Sequence, residues 1–243
     1  MTYFLYFSPT GGTSKYINAI APLSSDYELH NLTLKRDPLS LSLNSSDLLV
    51  LAYPVYYGRI PPLVLEKLND LKGDRTPAIL LGIYGNRHYN DALKEGADFL
   101  EMKGFVPYAA AGLVAKHTYG NIQVNRPDQG DLLQLKEFFR QAMEKEEKVK
   151  RGFPGNVPYK EMGEPHFYPF TNDDCIACGA CQRACAWKAI DEEYQTIQER
   201  CSACLACIPV CPMDARILPE AYNDFAEAFS EKFKEPRENE FFL

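Results

Sequence analysis

Tyr3-Phe4-Leu5-Tyr6-Phe7-Ser8-Pro9-Thr10-Gly11-Gly12-Thr13-Ser14 passes without a charge from an apolar run into hydroxyls and glycines, and a helical pattern follows over Thr13–Ile20. A short run that is apolar throughout predicts a strand covered on both faces, as in the parallel sheets of α/β layers. Between strand and helix, side-chain hydroxyls, backbone N–H groups and the positive end of a helix dipole converge, which suits a single phosphate group. The loop is not a Walker A loop, because no Gly-Lys-Ser/Thr follows, and it lacks the G-x-G-x-x-G dinucleotide turn. Ser, Thr and Gly before a helix also form an ordinary N-cap, so the loop alone leaves both readings open.

The same alternation continues through the first 150 residues. Further strands are expected at Tyr27–Thr33, Leu48–Ala52, Ala78–Tyr84 and Tyr108–Val114, and further helices at Pro62–Leu71, Asn90–Lys103 and Asp131–Lys148. In the last of these, Leu132, Leu135, Phe139 and Met143 form a stripe suited to core packing. Strands alternating with helices predict an α/β fold with a doubly wound, five-stranded parallel sheet. Ligands of such sheets lie beyond the carboxyl ends of the strands. The loop after the third strand (Tyr53 to Pro62) and the loop after the fourth (Tyr84 to Asn90) would therefore join Ser8–Ser14 around one site. Aromatic side chains there suit a flat ring, and glycines leave backbone groups free to meet its polar edge. His88 and His117 follow strands as well, where each is either a proton donor near such a ring or a surface residue.

Two cysteine runs near the C-terminus carry a different chemistry. Cys175, Cys178, Cys181, Cys185 and then Cys201, Cys204, Cys207, Cys211 both read C-x2-C-x2-C-x3-C. With this spacing three thiolates wrap one corner of a [4Fe–4S] cubane while the fourth reaches across to the other cluster. Crossed ligation follows: Cys175, Cys178, Cys181 and Cys211 for one cluster, and Cys201, Cys204, Cys207 and Cys185 for the second. Pro212 follows the second run, whereas Ala186 follows the first. Four disulfides are disfavoured because the cysteines crowd into one segment and Met1–Pro9 has no basic signal-peptide start. Zinc knuckles pair C-x2-C units across a longer loop and need fewer thiols.

Charge divides the chain. Residues 1–150 hold 17 Lys and Arg against 17 Asp and Glu, whereas residues 151–243 hold 9 against 16, so the net charge of −7 lies in the cysteine half. That balance disfavours nucleic acid and favours a partner protein with a basic docking face. No run of eighteen apolar residues is present for a membrane span, and eight unpaired thiols suit a reducing compartment, the cytoplasm. The expected organisation is a sheet domain over 1–150, a Pro/Gly/aromatic connector over 151–170, a small α+β cluster domain over 171–218, and a C-terminal helix and tail over 219–243. Tyr222, Phe225, Phe229 and Phe233 share one helical face, for docking against a domain or for a partner.

The S-x-T-G-x-T, P-V-Y-x-G-R-I-P-P and G-N-R-x-Y-x-D-A-L loops resemble those of flavodoxin-like FMN-binding domains. With the cysteine runs, the chain resembles the flavodoxin–ferredoxin fusion proteins of the EFR1 family over nearly its full length. The resemblance implies FMN, with its phosphate held by Ser8, Thr10, Gly11, Gly12, Thr13 and Ser14. It also implies a flavin ring between Pro54, Val55, Tyr56, Tyr57, Gly58 and Arg59 on one side and Gly85, Asn86, Arg87 and Tyr89 on the other. Gly58 is expected to permit a tight turn, with a peptide bond to the reduced ring as an additional role. Clusters pass single electrons and a flavin holds one or two, so the expected function is electron transfer between two [4Fe–4S] clusters, FMN and a redox partner. No catalytic triad and no paired acid–base site is seen. The alternatives are an FMN-dependent reductase of a small quinone-like acceptor and a redox sensor with structural clusters.

Overall fold

The computed structural model describes all residues, Met1–Leu243. In chain order the elements are β1 (Thr2–Tyr6), α1 (Gly12–Ile20), β2 (Tyr27–Asn31), β3 (Leu41–Leu43), β4 (Leu48–Pro54), α2 (Pro62–Lys67), β5 (Leu71–Gly73), β6 (Thr76–Tyr84), α3 (Ala92–Met102), β7 (Phe105–Val114), α4 (Gln129–Glu144), β8 (Phe170–Thr171), α5 (Ala180–Ala184), β9 (Arg216–Ile217), α6 (Ala221–Lys232) and β10 (Glu240–Phe242). Five strands run parallel in the order β2-β1-β4-β6-β7, which is the flavodoxin-like winding.

Side-chain alternation explains why these runs are apolar throughout. Leu5, Leu49, Leu51 and Leu80 face a core shared with Val64 and Leu68 near α2 and Leu93, Ala97 and Leu100 of α3. Their neighbours Phe4, Val50, Ile79 and Leu81 face the opposite core, against Tyr16, Ile17 and Ile20 of α1 and Leu135, Phe138 and Phe139 of α4. Successive strand residues point to opposite faces, so a sheet with helices on both sides needs every residue apolar. Helix α4 begins with a reciprocal cap, in which Asp131 N–H donates to Asp128 Oδ1 at 3.0 Å and Asp128 N–H donates to Asp131 Oδ2 at 2.8 Å.

Two expectations are corrected. The sheet has six strands, because β10 pairs antiparallel with β7, setting Phe241 opposite Ala111. This covers an edge that would otherwise expose unpaired backbone groups. The second helix stops at Lys67, because Leu71–Gly73 instead pairs with Leu41–Leu43 in a small parallel ladder.

The connector has no regular structure between α4 and β8 and runs along the α3 side of the sheet domain. Asp91 accepts from the Asn156 and Lys160 amides at 2.9 and 2.7 Å, Tyr159 Oη donates to Asp98 at 2.5 Å, and Phe153 is buried. The cysteine segment is closed by the antiparallel β8–β9 pair. No helix is long and apolar enough to cross a membrane.

Candidate functional site

Gly11 takes φ +86°, a left-handed turn that suits glycine, and delivers the chain into α1. Ser8 Oγ accepts from Ser14 N–H at 2.9 Å, and Ser14 Oγ donates back to the Gly11 carbonyl at 2.9 Å. Ser14 is thus spent on shaping the loop. The first N–H groups of α1, at Gly12 and Thr13, have no acceptor within the helix, and no acidic side chain sits in its first turn. Together with the Thr10 and Thr13 hydroxyls they form an anion cradle.

A cavity of about 780 Å³ opens at this cradle, beyond the carboxyl ends of the parallel strands. Ser8, Thr10, Gly12 and Thr13 line it, with Pro54, Val55, Tyr56 and Tyr57 from the loop after β4 and Gly85 and Arg87 from the loop after β6. Gly85 is required there, since a Cβ at this position would come within 2.8 Å of His117 Cα. The remaining expected residues point elsewhere. Arg59 forms a two-pronged ion pair with Glu95, both contacts at 2.6 Å, and stacks on Tyr159. Gly58 has φ +82° and its carbonyl accepts from Asp91 N–H at 2.9 Å, which makes it a turn residue. Asn86 binds the C-terminal tail, donating to the Phe233 and Glu235 carbonyls and accepting from Arg237 N–H. Tyr89 Oη donates to the Glu240 carboxylate at 2.7 Å. Gly11 and Ser14 shape the cradle without lining the cavity.

Three further walls lie outside the three loops expected to frame the site, although the sequence singles out His117 and the Phe225, Phe229 and Phe233 stripe among them. The segment Ala115–Tyr119 after β7 supplies one, the connector residues Lys160–His166 a second, and Phe225, Phe229, Lys232 and Phe233 of the α6 region a roof. The α6 aromatic stripe therefore packs internally: Phe229 lies 4.9 Å from the His117 ring and under the Arg87 guanidinium. His117 Nδ1 accepts from Tyr119 N–H at 2.8 Å, and burial lowers its pKa from 6.5 to about 4. Burial also lowers His88, whose Nδ1 accepts from Asn90 N–H outside the cavity.

The cysteines gather around two separate spaces. Cys175, Cys178, Cys181 and Cys211 line one, and Cys185, Cys201, Cys204 and Cys207 line the other. No set of His, Cys, Asp or Glu side chains closes on a point as a single metal ion would require. The two runs repeat one backbone shape. Ala177 and Ala203, each two residues into its run, have φ +55° and +49°, and Lys188 and Asp214, each three residues past its run, have φ +51° and +50°. The amides of Ala177, Ala189, Ala203 and Ala215 donate to Cys175, Cys185, Cys201 and Cys211 sulfurs at 3.2–3.4 Å. Burial pushes the thiols of Cys201 and Cys204 up to about 11 and about 12, so both are protonated at neutral pH.

The second space and the 780 Å³ cavity share a wall. Ser202 and Cys204 line both, and the buried Ser202 hydroxyl has no protein partner. Residues 194–217 match the family described as 4Fe-4S binding domain. An uncharacterized polyferredoxin-like protein of Methanocaldococcus jannaschii is 38% identical over 64 residues, which is 26% of this chain and 29% of the relative's length. The chain therefore carries a 4Fe–4S binding segment behind a flavodoxin-like sheet. Among solved structures, oxidised flavodoxin 1 from Bacillus cereus is 14% identical, covering 59% of this chain and 97% of its own, with a TM-score of 0.46. A Streptococcus pneumoniae flavodoxin is 17% identical over 58% of this chain and 97% of its own, with a TM-score of 0.41. Rubredoxin oxygen:oxidoreductase of Desulfovibrio gigas is 18% identical over 56% of this chain and 33% of its own, with a TM-score of 0.38.

Proposed function

We propose that this chain is an electron carrier holding two [4Fe–4S] clusters and one FMN, of the kind found in the EFR1 fusion family. In this reading residues 1–150 bind the flavin and 171–218 the clusters. The connector 151–170 and the tail 219–243 pack back on the first unit. One cluster takes Cys175, Cys178, Cys181 and Cys211, and the other Cys201, Cys204, Cys207 and Cys185. The repeated backbone supports equivalence of the two runs, and each quartet of thiols has the donor chemistry of a cubane.

FMN fits the large cavity. Its phosphate is held by the Gly12 and Thr13 amides and the Thr10 and Thr13 hydroxyls, and its ring by Tyr56, Tyr57 and the Gly85–Arg87 segment. FMN supplies an acceptor of one or two electrons, whereas each cluster passes one. The chain's own residues hold the ring against the Ser202–Cys204 loop and roof it with α6. That shared wall is the observation that carries the proposal, because a cluster and a flavin held in these two spaces would be neighbours across Ser202 and Cys204. The acidic cluster half suits a partner protein with a basic docking face, in a reducing compartment such as the cytoplasm.

Anaerobic purification with iron, sulfide and flavin assays tests this reading. About eight irons and one FMN per chain are expected, with Cys185→Ser and Cys211→Ser each damaging a different cluster. Colourless protein without iron would overturn it.

A further inference from the structure

Arg216 is the largest fully buried side chain of the protein, with 2% of its surface exposed, and its guanidinium meets no carboxylate. One terminal nitrogen donates to Thr171 Oγ1 at 2.8 Å and the Tyr194 carbonyl at 2.7 Å. The other donates to Thr196 Oγ1 at 2.6 Å and the Pro169 carbonyl at 3.2 Å, and approaches Cys207 Sγ at 3.8 Å. All its oxygen partners are neutral, and its Nε–H has no partner. A guanidinium stays protonated in proteins, so this is a buried positive charge without a counter-ion among the side chains. Burial of that kind is unfavourable unless something anionic stands nearby.

Arg216 lines both thiol spaces, those of Cys181 and of Cys207. Resting on the two-cluster reading above, we propose that Arg216 is the counter-cation shared by both clusters. It holds their reduction potentials up, and more so for the cluster on Cys201, Cys204, Cys207 and Cys185. A cluster ligated by four thiolates is anionic, and reduction adds one further negative charge, which a fixed cation stabilises. The donation toward Cys207 Sγ adds a hydrogen bond on that side only. The cluster beside the flavin cavity is thereby the easier of the two to reduce, and electrons entering at the Cys175 cluster run inward.

The test is EPR-monitored anaerobic potentiometry on the full-length holoprotein, unmodified and as Arg216→Gln and Arg216→Lys. With iron content retained, Arg216→Gln is expected to shift both midpoint potentials downward, the Cys207-side cluster further, while Arg216→Lys keeps most of the original values. Iron lost from Arg216→Gln but retained by Arg216→Lys also supports the charge role. Unmoved potentials at full iron content would overturn the proposal and leave the two-cluster reading standing. Iron lost equally from both variants would overturn it too, because a purely structural pin needs the fork and not the charge. An unmodified chain without clusters would bring down both readings together.

Discussion

Trp187, two residues beyond Cys185, stacks on Tyr56 of the large cavity, with ring centroids 6.0 Å apart and planes at 30°. The same indole meets Phe7, at the end of the first strand, edge-on at 5.2 Å. One side chain thus fastens the cysteine segment to the carboxyl edge of the sheet, where the cradle begins. Aromatic pairs contribute about 0.5–1.5 kcal/mol each beyond area burial. Trp187→Ala is expected to destabilise by up to about 3 kcal/mol, the lower end for buried aromatic truncations, since Trp187 is half-buried. Denaturant unfolding followed separately by cluster absorbance and by far-UV signal checks this: the cluster transition should come earlier in the variant.

The anion cradle predicts a specific affinity loss. Thr13→Val removes a hydroxyl that lines the cavity while keeping shape and helix position. A hydrogen bond to a charged group contributes about 1.5–3 kcal/mol, so FMN affinity should fall by roughly 10-fold to 150-fold. Riboflavin, which lacks the phosphate, should bind both proteins alike. Fluorescence quenching titrations with both flavins measure the difference, and equal losses for both would argue against a phosphate at this loop.

Asn86 holds the tail by three hydrogen bonds of 2.7–2.8 Å and is 2% exposed. At about 0.5–1.5 kcal/mol per bond, Asn86→Ala should cost about 2–4 kcal/mol and loosen β10 from β7. Hydrogen exchange of the Phe242 and Gly112 amides reports this directly, because the even-numbered N–H groups of β7 face the tail, as Val114 N–H does in donating to Asn239. Faster exchange there, with Leu51 in the sheet centre unchanged, is the expected pattern.

The five parallel strands and the two cysteine runs are legible in the sequence because each is set locally, by an apolar run or a fixed spacing. β10 is not. A three-residue strand has no periodicity of its own, and its place depends on Asn86 and Tyr89 some 150 residues earlier. Those two residues, and Arg59, sit in loops that converge on the cavity and read as cofactor contacts. Their partners Arg237, Glu240 and Glu95 are separated in sequence and close only in the fold. Arg216 is silent for the same reason: its environment is assembled from Pro169, Thr171, Tyr194 and Thr196.

His117 sets a pH dependence. Its folded-state pKa is about 4 against an ordinary 6.5, so between those values the unfolded chain binds a proton that the folded chain does not. Stability therefore rises with pH from about 4 to 6.5 and levels off above. His117→Asn, which keeps an acceptor for Tyr119 N–H, should flatten this rise. Urea midpoints across that range, compared between the two proteins, supply the check.

The measurement that bears most directly on the shared wall is the rate at which flavin becomes reduced after the clusters are rapidly reduced by a photochemical donor. If Ser202 and Cys204 separate adjoining cluster and FMN sites, that rate is independent of protein concentration, and it collapses in Cys204→Ser while the Cys175 cluster keeps its iron. A rate that climbs in proportion to protein concentration would mean that electrons pass between molecules, contradicting the internal route.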